Sequence, residues 1–107
     1  AEPTVWHVVH IRLDPDLDEV RRSALEAALH QLVDEHPHAV RASLHRDLGR
    51  KPKAPVSATW MACFEFASMD DFESYLVSPL HADFITQHQP SMEYISAIQV
   101  PFPGAPT

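Results

Sequence analysis

Glycine is almost missing from this sequence: Gly49 and Gly104 are the only two in 107 residues. A glycine-rich loop cradling phosphates and a G-x-S-x-G turn presenting a nucleophilic serine are thereby excluded. Cysteine is scarcer still. Cys63 stands alone, so no internal disulfide can form and no C-x-x-C spacing exists, which suits a reducing compartment. Basic residues are few as well. Eight Lys and Arg against fifteen Asp and Glu give a net charge of −7, which argues against nucleic acid as the main partner, since phosphate binding needs a basic surface. No run approaches the roughly 18 apolar residues of a membrane span. The first residues carry Glu2 and no basic segment ahead of an apolar one, so they do not read as a secretory signal. The expectation is a cytoplasmic protein with neither nucleic acid nor membrane as partner.

What is present is ordinary globular material. Apolar residues make up 45%, and the length suits a single domain over residues 1–107, with a core at about 5–100 and a proline-rich tail at 101–107. A chain this short buries a modest share of its surface and gains from oligomerisation.

VWHVVHIRL, residues 5–13, alternates. His7, Val9, Ile11 and Leu13 point one way, and Trp6, Val8, His10 and Arg12 the other, in a β-branched run that predicts a strand. Asp14-Pro15-Asp16 ends it, with Asp14 or Asp16 available to cap a helix over 16–36. That helix shows two apolar lines: Leu17, Val20, Ala24 and Ala28, and beside them Leu25, Leu29, Leu32 and Val33. Pro37 stops it. Residues 39–48 read as a more polar strand suited to a sheet edge. Residues 49–55, GRKPKAP, hold breakers and cations and cannot be regular structure. VSATWMACFEF, 56–66, predicts a strand with Ala58, Trp60, Ala62, Phe64 and Phe66 on one face. Ser68 to Asp71 starts a short helix bearing Phe72, Tyr75 and Leu76. Pro79 starts another, with Leu80, Phe84 and Ile85 inward. A last strand falls at about 92–100.

The order β-α-β, β-α-α-β predicts an α+β domain of the split-βαβ, ferredoxin-like plan: a four-stranded antiparallel sheet with helices on one face. Strands 1 and 3 are apolar on both sides, so the other face is an association surface, and a face-to-face homodimer is its economical cover.

HVVHIRL followed by a long helix, then CFEFASMDDFESYLVSPLHADF and a closing strand, resembles the stress-responsive dimeric α+β barrel family. The resemblance spans about residues 5–100 and is carried by YLVSPLHADF, which is similar to that family's Y-x-x-H-P-x-H-x-x-F segment. The family holds non-enzymatic stress proteins as well as a plant polyketide cyclase that closes a ring by aldol chemistry without metal or organic cofactor. What the resemblance implies is a catalytic pair at Tyr75 and His81, with His7 in the pocket. Three positions depart from the pattern. Ser78 replaces the motif's first His, Trp60 replaces a pocket His, and Leu29 replaces a pocket Tyr.

The residues support such chemistry on their own terms. His81 sits in the first turn of a helix, whose positive end favours neutral imidazole, a base at neutral pH. Tyr75 offers a phenol that can polarise a carbonyl oxygen. The other reading makes His81 a solvent-facing helix-start residue and Tyr75 a core ring with a wet tip. His7, on the face of Val9 and Ile11, points at the helix layer and needs either a cavity or a partner. Small Ala62 between Trp60 and Phe64 leaves room for a ligand or for a side chain from the long helix. The expected substrate pocket therefore comprises His7, Val9, Ile11, Leu29, Trp60, Ala62 and Phe84, and its guest is a small hydrophobic or carbonyl-bearing molecule.

Eight histidines raise the question of metal. His7 and His10 lie on opposite faces of a strand, and His36-Pro-His38 is a helix-end turn. His81 and His88 are two helical turns apart, roughly 10 Å, too far to share one ion. No metal and no cofactor is expected. Cys63 reads as a buried inert thiol. Arg46, Arg50, Lys51 and Lys53 read as a solvated loop or as the rim for an anionic ligand. Three functions stay open: cofactor-free acid–base catalysis on a carbonyl compound (a cyclase, lyase or isomerase), a non-enzymatic stress or ligand-binding protein, and a cofactor-independent monooxygenase.

Overall fold

The computed structural model describes residues 4–48 and 59–101. β1 (Val5–Leu13), α1 (Glu19–Glu35), β2 (Arg41–Arg46), β3 (Trp60–Phe66), α2 (Met69–Leu76), α3 (Pro79–His88) and β4 (Met92–Pro101) follow in that order, with a short 3-10 turn over Gln89–Ser91 before the last strand. The sheet runs β2-β3-β1-β4, and β1 pairs antiparallel with β3 and β4 as β3 does with β2. This is the ferredoxin-like α+β fold expected from the element order. The residues expected at 49–58, the basic loop beyond Arg46 among them, and the tail beyond Pro101 lie outside the described residues.

The alternation in β1 is realised in its burial. Val5, His7, Val9, Ile11 and Leu13 are buried beneath the helices, and Phe66, Phe64, Ala62 and Trp60 continue that face across the strand register. From α1 the core takes Leu25, Leu29, Leu32 and Val33. The parallel line only borders it: Leu17 and Ala28 pack against the core half-buried, while Ala24 is exposed and Val20 is 81% exposed. The line of Leu25, Leu29, Leu32 and Val33 points straight at the sheet, and the adjacent line lies at the margin of that contact. The helix also begins later than expected. Asp14 is spent on a turn, its Oδ1 accepting from Asp16 N at 2.9 Å. Asp18 caps α1 instead, accepting from Arg21 N at 2.8 Å.

At the far end of α1 the shortage of glycine has a local consequence. His36 and His38 adopt positive φ, 28° and 66°, where glycine usually sits. His36 compensates within the cap. Its backbone N–H donates to Leu32 O at 2.9 Å, and its ring Nδ1 lies 3.0 Å from Val33 O.

Among the described residues, none forms a layer over the face of the sheet away from the helices. Trp6, Val8, Met61, Cys63 and Ile98 share it, and Ile98 is 54% exposed. Arg41 pairs with Glu65 on the β2–β3 side, and Arg12 with Glu93 at 3.5 Å near the β4 edge. The Cys63 thiol is buried on this face, which pushes its pKa up and leaves it a poor nucleophile. Among the described residues, no helix is long and apolar enough to cross a membrane.

Candidate functional site

The join between α2 and α3 is built from side chains that close backbone gaps. Ser68 starts α2, its Oγ accepting from Asp71 N at 3.1 Å. The helix stops at Val77, because Pro79 two residues on cannot donate into its ladder. Ser78 then serves both helices. Its hydroxyl donates to Tyr75 O at 2.7 Å and accepts from His81 N at 3.4 Å, so it ties the end of α2 to the first turn of α3. In the sequence Ser78 stands out only as a departure from the family's motif. In the fold it is a buried hinge pin (7% exposed) between the two residues of interest.

The elbow brings Tyr75 and His81 together, with ring centroids 4.7 Å apart. His81 Nδ1 lies 3.0 Å from the carbonyl of Leu76. A carbonyl only accepts, so Nδ1 carries the proton and Nε2 is left as the acceptor. Burial lowers the His81 pKa below the ordinary histidine value, and the bond to Leu76 offsets part of that. Tyr75 is buried among Phe64, Phe66 and His7, at 5.0, 5.3 and 6.0 Å between centroids. Burial pushes its phenol well above the usual range, so it stays protonated and can donate.

His7 completes the group. Only 4% exposed, it packs against Phe72 at 4.8 Å, and its Nδ1 receives a hydrogen bond from Gln99 Nε2 at 2.8 Å. Burial, and secondarily the neighbouring His81, push its pKa down to about 4. At neutral pH the site thus holds two uncharged imidazoles and one protonated phenol.

All three open on one cavity of about 130 Å³ between the sheet and the helices. Of the residues expected to line a pocket, His7, Val9, Ile11, Leu29, Ala62 and Phe84 do so, along with Tyr75 and His81. Trp60 does not line it. Its indole packs edge-on against His30 of α1, 5.9 Å between centroids, with the Arg46 guanidinium 5.6 Å from its ring centre. The face was read correctly; the indole fills the space toward α1 and leaves the hollow to Ala62. Small Ala97 and Ile95 of β4 help to line it, positions that the sequence did not single out. A cavity near 150 Å³ is about large enough for a benzene-sized guest. Pockets for drug-sized molecules begin at about 300 Å³.

Among the described residues, no group of three His, Cys, Asp or Glu side chains is placed to hold a metal ion.

The sequence matches the stress responsive A/B barrel domain over residues 5–101. The chain belongs to that family. No curated protein sequence matches it significantly, but solved structures of similar shape are numerous. A hydroxynitrile lyase from Passiflora edulis superposes with a TM-score of 0.79 at 22% identity, over 97% of each chain. A dimeric ferredoxin-like protein of unknown function from Thermobifida fusca gives 0.76 at 18% identity, over 94% of this chain and 92% of that one. A protein of the same A/B barrel family from Mesorhizobium loti gives 0.76 at 17% identity, over 94% and 99%. At these identities the likeness of this A/B barrel protein to each of them is one of fold.

Proposed function

We propose that this protein is a cofactor-free acid–base catalyst acting on a small carbonyl compound, with lyase-type carbon–carbon chemistry next to the carbonyl as its reaction. The supporting observation is that a base and a donor share one apolar hollow: His81, with Nε2 free to accept, and Tyr75, kept protonated by burial. His81 takes the proton from a hydroxyl or from the carbon beside the carbonyl. Tyr75 hydrogen-bonds the oxygen on which negative charge develops. In the cleavage direction, loss of the hydroxyl proton drives carbonyl formation and breaks the carbon–carbon bond, and the imidazolium returns the proton to the departing carbanion. The cavity volume favours a guest of about one six-membered ring over an extended polyketide chain. The Passiflora lyase is a precedent for lyase chemistry on this fold, though fold alone does not carry activity.

The test is proton exchange in D2O. The protein is mixed with a panel of ring-sized aldehydes, ketones and β-hydroxy carbonyl compounds and followed by proton NMR. Loss of α-proton signals, or cleavage, faster than in buffer is expected for at least one compound. Line broadening without exchange or conversion would instead mark a binding protein, the second reading of the same cavity.

We also infer that the sheet face away from the helices is closed by a second copy of the chain. Its apolar centre and exposed Ile98 need a cover, and three structural relatives are described as dimeric. Light scattering should give twice the 12.1 kDa chain mass. Ile98→Glu should shift the protein toward the monomer at micromolar concentration.

A further inference from the structure

A site with two neutral imidazoles is ambiguous, because each ring carries one proton on either of two nitrogens and is donor or acceptor accordingly. For His81 the Leu76 carbonyl resolves the ambiguity. For His7 the partner is a side chain 92 residues away in the sequence. Gln99 lies directly opposite His7 in the β1–β4 register, and its Nε2 is 2.8 Å from His7 Nδ1. An amide nitrogen only donates, so Nδ1 must accept and the ring proton must sit on Nε2, the nitrogen left for a guest in the cavity that His7 lines.

We propose that Gln99 is a positioning residue that locks His7 in its Nε2–H tautomer, making His7 a hydrogen-bond donor of the cavity and leaving His81 as its single base. Among the described residues, no other side chain competes for this role. The groups packed against the His7 ring are Phe64 and Phe66 from β3, and Phe72 and Tyr75 from α2; His81 of α3 and Gln99 of β4 complete the polar and titratable neighbours. None bears a charge at neutral pH, so the tautomer is set by a hydrogen bond and not by a field. The consequence is a division of labour: two donors, Tyr75 and His7, for the substrate's oxygen atoms, and one acceptor for its proton. A glutamine turned the other way, its Oε1 accepting from Nδ1–H, would make His7 a second base and remove one donor.

In its chemical meaning this inference rests on the acid–base reading above, but its measurement does not. Histidine tautomers are read directly from long-range proton–nitrogen correlation spectra of 15N-labelled protein at neutral pH, with His7 assigned by the signals lost in His7→Gln. The wild-type protein should show an unprotonated Nδ1 and a protonated Nε2. Gln99→Glu, whose carboxylate can only accept, should reverse the two and let the ring become protonated at higher pH than in the wild type. Gln99→Leu should give averaged signals from a mixture. A wild-type spectrum with the proton on Nδ1, or spectra unchanged in both variants, would overturn the proposal whatever the turnover measurements give.

Discussion

Phe66→Ala should lower the stability of the folded chain by about 3–5 kcal/mol, a large share of a whole stability on the order of 5–15 kcal/mol. Phe66 is fully buried, at 0% exposure. It stacks on Phe64 at 6.3 Å, meets Phe72 edge-on at 5.6 Å and lies 5.3 Å from Tyr75. Removing it takes a ring from the floor on which α2 rests, so the cost combines lost transfer energy with a void that the strand cannot close. Urea denaturation followed by circular dichroism measures the change. Val20→Ala is the matched control: at 81% exposure it should move stability by no more than about 0.5 kcal/mol. Equal losses in the two variants would contradict the placement of the core.

That contrast also marks how far the sequence could be read. β1 was legible because strand alternation has one phase: every inward position from Val5 to Leu13 is buried, and Val8 alone is buried on the other face as well. α1 was legible as a helix, but its buried side was not fixed by its own residues. Val20–Ala24 and Leu25–Leu29 both satisfy helical spacing, and only contact with the sheet chooses between them. The same limit applied to Trp60. Its face followed from alternation, while the direction of its indole, toward His30 and away from the hollow, depends on how α1 lies over the sheet. Tyr75 and His81 were legible as a pair because six residues across a proline bend keep them local. Gln99 was not, because its partner is on another strand and nothing in QVP marks a hydrogen bond to residue 7. Ser78 was visible only as a departure from the family's motif; its two hydrogen bonds across the elbow depend on how α2 and α3 meet.

His81→Ala should reduce turnover of a competent carbonyl substrate by about 10²–10⁴-fold, the usual share of a general base. Tyr75→Phe should reduce it by about 10²–10³-fold, the usual loss when an oxyanion donor is removed. The phenylalanine keeps the ring that packs on Phe64 and Phe66, so the fold should stand and the hydroxyl alone is tested. The pH profile separates the base from a structural role. As the proposed base His81 would act in its neutral form, and burial has lowered its pKa below the ordinary histidine value of 6.5. The rate should therefore rise as pH increases through a point below 6.5 and be level at neutrality. The His7 pKa is pushed further down, to about 4, so His7 is uncharged on the level part. Tyr75 keeps its proton through the alkaline range in which free phenols ionise, so the level part should extend past pH 9. In His81→Ala the acidic limb should vanish along with the rate. Variants that keep turnover within about threefold of wild type, or a profile whose acidic limb survives the loss of His81, would show that the proton moves through another group.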